Sequence, residues 1–254
     1  MWNIGVIALN TFRENLRDKI LYNLLLFAVL LIGGSAVLGK LTIMEHDKIM
    51  TDAGLAAINM VGVAIATFVG IGLVSKEIER RTIYTIIARP IRRLDFLLGK
   101  YLGLVTTLAV NMAIMLLVYL AVLSFNHIPL HFSLLQAAQL MFLEMMIVTA
   151  TALLFSTFST PSLSAMLTVG LYVVGHLMSD LRGVADKSTS DMMKGIITGL
   201  YYICPNLEML NIKGQAAAGV SVMWSYQAIA TAYGLFYSAL LLAIACLIFE
   251  RRDF

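Results

Sequence analysis

Charged side chains are scarce in this sequence. Asp, Glu, Lys and Arg make up 13% of its 254 residues, against roughly 25% in soluble domains. Apolar residues fill the gap at 60%, and the mean hydropathy is +0.87. One soluble core cannot bury that much apolar surface without leaving large sticky patches, so an ordinary soluble enzyme is excluded and lipid is the expected solvent. Net charge is only +3, from 18 Lys+Arg against 15 Asp+Glu, and a nucleic-acid binder would need its bases gathered on one face of a soluble module, so no nucleic-acid partner is expected. Cysteine is nearly absent: Cys204 and Cys246 are too few for a disulfide framework, and Cys246 lies in an apolar run where it suits packing as a small hydrophobe. No cleavable leader is expected either. The first apolar run covers 20–38, longer than the about 7–15 residues of a leader core, so it is expected to stay as a membrane helix. No H-E-x-x-H, serine elbow or other catalytic set occurs.

What is present is a series of long apolar runs. A spanning helix needs about 20 apolar residues, and six stretches qualify: 20–38, 54–74, 101–125, 134–158, 163–181 and 226–249. The fourth and fifth are separated by Ser159-Thr160-Pro161-Ser162, where proline ends one helix and starts the next, predicting a tight helical hairpin. Of the 18 bases, twelve fall on one side: Arg13, Arg17 and Lys19; Lys76, Arg80, Arg81, Arg89, Arg92, Arg93 and Lys100; Arg251 and Arg252. Lys40, Lys48, Arg182, Lys187, Lys194 and Lys213 fall on the other. Positive residues favour the cytoplasm, so both termini are expected there. The expected fold is an all-α integral membrane protein forming a single transmembrane domain over 1–254, with any cytoplasmic energy source on another chain.

Two cytoplasmic segments have internal pattern. Over 1–19, Leu9, Phe12 and Leu16 recur at helical spacing with Arg13, Glu14, Arg17 and Asp18 opposite, which predicts an amphipathic helix at the membrane interface. In the loop 75–100, Glu77 and Arg81 stand at i, i+4, Ile78, Thr82 and Ile86 line another face, and Pro90 ends the pattern, giving a short charged helix under the bilayer. A basic loop of this kind also serves simply as a topology signal among lipid headgroups.

Glu77-Ile78-Glu79-Arg80-Arg81-Thr82, then Ala88-Arg89-Pro90-Ile91-x-Arg93 and Leu98-Gly99-Lys100-Tyr101-Leu102-Gly103, resemble the loop between the second and third spans of the six-helix permeases of type 2 ABC transporters. Phe12-Arg13-Glu14-x-Leu16-Arg17-Asp18-Lys19-Ile20-Leu21, Pro205-Asn206-Leu207-Glu208 and Phe249-Glu250-Arg251-Arg252-Asp253-Phe254 resemble that family's N-terminal helix, outer loop and C-terminal end. Within the family, the sequence looks closest to the copper-enzyme-maturation permease group. The resemblance implies a permease subunit that moves or exports a substrate across a prokaryotic inner membrane and is not itself an enzyme. It implies a cytoplasmic coupling helix around 77–88, with Glu77, Glu79, Arg80, Arg81, Thr82, Arg89, Pro90 and Arg93 docking a separate ABC ATPase. Two ATPase copies would join two permeases, the second a copy or a sister chain, with ATP and Mg held by the ATPase and no cofactor in this chain. It also implies short re-entrant outer helices within 182–225. An outer protein partner for that segment is the alternative.

Polar residues inside the spans are candidates for a transport path. Glu144 lies well inside the fourth span, where a charge is costly unless protonated, paired or facing water. It is either a path or gating residue or a protonated glutamate bonded between helices. Gln136, eight residues earlier, falls about 80° round the helix and shares a flank with it. Asn111 in the third span is a further path candidate, or interhelical glue. Gly62, Ala66 and Gly70 recur every four residues along the second span, a stripe suited to close helix packing. His46, His127 and His131 near the outer side, with 15 methionines in the chain, raise metal binding. Pro129 prevents His127 and His131 from forming a helical pair, and no metal is expected. Gly34-x-x-x-x-Gly39-Lys40 imitates a phosphate loop, but Leu41 replaces its hydroxyl and no strand precedes it. A rival reading makes the chain a proton-coupled secondary transporter using Glu144. A third makes it a mechanotransmitting membrane subunit acting on an outer partner.

Overall fold

Six runs too apolar for water and long enough for a bilayer become six long helices. The computed structural model describes residues 2–40, 45–79, 93–187 and 191–250. Its helices are α1 (Trp2–Asn15), α2 (Lys19–Lys40), α3 (His46–Glu79), α4 (Arg93–Phe125), α5 (Phe132–Ser156), α6 (Pro161–Lys187), α7 (Asp191–Ile203), α8 (Lys213–Ala217) and α9 (Trp224–Glu250). A 3₁₀ turn covers Glu208–Leu210. No strand occurs among the described residues. Helices α2, α3, α4, α5, α6 and α9 are each long and apolar enough to cross a membrane.

Burial divides these six into a centre and a rim. In α3 and α5, 72% and 78% of the spanning window is buried, against 22% in α2 and α6. Helix α5 lies between α3 and α9, and α3 also packs on α2 and α4. The stripe Gly62, Ala66, Gly70 faces α5: Met145 fills the space beside Gly62, and a Cβ on Gly70 would stand 2.8 Å from the Ala152 Cβ. Ala66 is fully buried. Removing side-chain bulk there lets the two central helices approach, which in lipid substitutes for a hydrophobic driving force.

Consecutive spans alternate in direction, which gives the bundle two ends. The upper end carries the 126–131 connection and the segment 204–223, which meet around the start of α3. The lower end carries the α5–α6 turn, the end of α3 and the start of α4. In that turn Pro161 opens α6, where a missing N–H costs no helical bond, and the Ser159 and Ser164 hydroxyls are 2.6 Å apart. At 34 and 33 residues, α3 and α4 are about 50 Å long at 1.5 Å per residue. That exceeds the roughly 30 Å hydrocarbon layer, so the charged ends of both helices reach past it.

Helix α1 lies against the first turns of α4. Gly99 and Gly103 form its seat: a Cβ on Gly99 would meet Ile7 at 2.8 Å, and one on Gly103 would meet the Ala8 carbonyl oxygen at 2.6 Å. Thr11 is buried there, Asn15 Nδ2 donates to Thr107 Oγ1 at 3.3 Å, and Lys100 Nζ lies 3.9 Å from Glu14 Oε2. The packed face is therefore centred on Thr11, while Leu9 is exposed and Phe12 and Leu16 are half-buried. The apolar face read from spacing is only partly the contact face, because small residues allow the closest approach.

Candidate functional site

Because α5 is buried nearly all round, each of its polar side chains must find a partner inside protein. Thr149 and Thr151 solve this within the helix, donating to the carbonyls of Met145 and Ile147 at 2.8 and 2.9 Å. A carboxylate accepts hydrogen bonds and cannot do the same. Glu144, 0% exposed, takes its partner from the next helix: His176 Nε2 stands 2.7 Å from Glu144 Oε1.

His176 has a second carboxylate on its other nitrogen, with Nδ1 3.1 Å from Glu208 Oε2. Exposure rises along the row, from 0% for the Glu144 side chain through 19% for His176 to 39% for Glu208. Tyr172, one turn before His176 on α6, sets its ring edge-on to the imidazole with centroids 4.8 Å apart. Its phenol lies beside Glu144, and Asn59 Nδ2 of α3 approaches its oxygen at 3.5 Å. Asn211 Nδ2 donates to both Glu208 oxygens at 3.1 Å. Glu144 Oε2 is buried with no well-formed hydrogen bond among the described residues.

The local sequence explains how Glu208 reaches a span. The segment crosses α6 at Gly175, whose missing Cβ leaves room for Leu207 and the Pro205 carbonyl. Leu207 N–H donates to the Gly175 carbonyl at 3.1 Å, which sets the next residue, Glu208, opposite His176. Helix α9 holds the same segment: the Tyr233 hydroxyl accepts from Asn206 N–H, and the Tyr226 hydroxyl donates to the Met209 carbonyl, both at 2.7 Å. At the far side, Gln136 pairs with the Val222 backbone in both directions at 3.1 Å.

Gln136 therefore holds the entry to α9 and does not join Glu144. Asn111 is buried in α4 and donates to the Thr107 carbonyl at 2.7 Å, also apart from Glu144. His46 packs against Gly39, and His131 precedes α5 and packs against Gly219. His127 takes a left-handed backbone, φ 58°. Among the described residues no three His, Cys, Asp or Glu side chains gather as metal ligands. Arg80, Arg81, Thr82, Arg89 and Pro90 lie outside the described residues. Glu77 and Glu79 fall in the last turns of α3 and Arg93 opens α4, with their side chains outside the description.

Spacing along one helix pairs residues on that helix only, so it did not join His176 and Glu208 to Glu144. The usable signal was chemical: a carboxylate in a span needs a donor, and His176 is the histidine inside a span. At the lower end a cavity of about 400 Å³ opens between α1, α2, α3 and α6, with Asp18 at its rim and Leu21, Leu24, Phe68 and Val69 on its walls.

No curated protein matches the chain. A family model described as ABC-2 family transporter protein matches residues 6–254, almost the whole sequence, so this six-span chain belongs to the ABC-2 family of transporter membrane proteins.

Proposed function

We propose that this chain is the permease subunit of an ATP-driven transporter, coupled to a separate ABC ATPase through the lower end of the bundle. The observation that carries the reading is the family match from residue 6 to residue 254 over six spanning helices. The docking surface is the segment 75–100, where Lys76, Glu77, Glu79, Arg80, Arg81, Arg89, Arg92 and Arg93 crowd both signs of charge into a short stretch. Interspersed charge of this kind sets register with a protein partner. Two permeases and two ATPases assemble, ATP and Mg bind the ATPase, and closure of the ATPase pair moves the permease halves as rigid bodies. The positive lower end faces the cytoplasm of a prokaryotic cell, the upper end faces outward, and the complex exports or moves a substrate.

Purification from native membranes in mild detergent, followed by mass spectrometry, tests this. One ATPase copy per permease is the expected result. Consistent absence of an ATPase from intact protein overturns the reading in favour of a proton-coupled secondary transporter, which the Glu144–His176 contact favours as second choice.

A further inference from the structure

The row Glu144, His176, Glu208 obeys a simple proton count. Both ring nitrogens of His176 stand within hydrogen-bond distance of a carboxylate oxygen, at 2.7 and 3.1 Å. A neutral imidazole has one N–H, and an ionised carboxylate has none. Two contacts therefore need two protons on the three groups. In one arrangement an imidazolium donates to two carboxylates. In the other, Glu144 carries a proton on Oε1 and donates it to Nε2, while Nδ1–H donates to Glu208. One proton moving along the 2.7 Å contact interconverts them, and the row carries a net charge of −1 in both.

We propose that Glu144, His176 and Glu208 form a proton-binding site that opens to the upper face through Glu208, and whose second proton seats the segment 205–211 on the bundle. When that proton leaves to water by way of the half-exposed Glu208, one N–H remains between two ionised carboxylates. One contact then sets acceptor against acceptor in a buried setting, where unpaired charge is costly. Glu144 is fixed in a central helix and Glu208 sits on a connection with access to water, so the Glu208 contact yields and the segment lifts.

Among the described residues the neighbours are few and mostly neutral. Asn59 approaches from α3, Tyr172 from α6 and Tyr226 from α9, and Asn211 donates to Glu208. Lys213, at the start of α8 just beyond the segment, is a cation that acts on His176. None of these bridges the two carboxylates in place of the imidazole.

Hydrogen exchange on the whole chain in lipid nanodiscs tests the proposal, with amide rates over 205–211 corrected for the intrinsic effect of pH. From about pH 5 to about pH 9, a range that brackets ordinary histidine titration, exchange in the native protein is expected to rise about tenfold, the effect of losing one charge-assisted hydrogen bond. Glu144→Gln mimics the protonated carboxyl: its amide N–H donates to Nε2 and Nδ1–H stays on Glu208, so the segment remains protected at high pH. Glu208→Gln does the same from the other side, and either variant alone decides the matter if the other does not fold. A flat native profile, or a glutamine variant with the native pH response, overturns the proposal. The assay contains no ATPase, so its outcome is independent of the coupling reading above.

Discussion

Leu207 rests directly on Gly175, its amide bonded to the glycine carbonyl at 3.1 Å and its Cγ 2.8 Å from where a Cβ would stand. The Pro205 carbonyl is equally close, so an added methyl meets backbone as well as side chain. Gly175→Ala is expected to cost about 1–3 kcal/mol, as overpacking does, despite the higher helix propensity of alanine. It should also part His176 from Glu208. Thermal unfolding in detergent measures the first effect. Faster exchange over 205–211 at low pH reports the second, and unchanged exchange would contradict it.

The two glycines of the α3 stripe should respond differently to the same substitution. At Gly62 the obstacle is the end of Met145, a flexible side chain that can swing away. At Gly70 it is the Ala152 Cβ, which moves only with the α5 backbone. Gly70→Ala is expected to lower the unfolding midpoint clearly, by about 1–3 kcal/mol of stability, and Gly62→Ala by less. Equal losses would mean that Met145 is held as rigidly as backbone.

Cys204 offers a test of orientation with a built-in pH dependence. Burial pushes its thiol above the ordinary value, so at neutral pH a smaller fraction is thiolate, the reactive form. In intact cells a membrane-impermeant maleimide should label Cys204 from outside more slowly than a free thiol, and faster as pH rises. Cys246 is buried in α9 and should stay unlabelled. Labelling of Cys204 only after permeabilisation would place the upper end in the cytoplasm.

Reversing charge at the lower end of α3 and in the loop after it tests ATPase docking away from the packed centre of the bundle. The double variant Glu79→Lys, Arg81→Glu should insert and fold normally, yet lose stimulation of the partner's ATP hydrolysis. The comparison is stimulated ATPase activity in reconstituted complexes. Native stimulation from the variant would remove these residues from the interface.

The number of spans was legible because lipid leaves a plain mark, about 20 apolar residues in a row. Which spans are central was not. The windows of buried α3 and α5 have mean hydropathies of 2.0 and 1.8, while exposed α2 and α9 both have 2.2. Lipid and protein interior are alike in polarity, so composition scarcely separates a helix facing one from a helix facing the other. The helices themselves run beyond the apolar runs, as α3 does over His46–Glu79, because backbone bonding continues where hydropathy fades. Glu144 could be singled out because carboxylates are rare in spans. Its partners lay on another helix and a loop, joined by the crossing at Gly175, a relation that no periodicity encodes.

The docking of α1 on Gly99 and Gly103 gives that helix a mechanical place. It runs into α2 through a short turn and is clamped to the base of α4, the helix that emerges from the charged loop. If the proposed ATPase docks on that loop, a push there would reach two rim helices together, with α1 serving as a yoke between them. Loosening that clamp at Gly103 would leave each helix to move alone, and a stroke delivered from below would be divided before it reached the upper end.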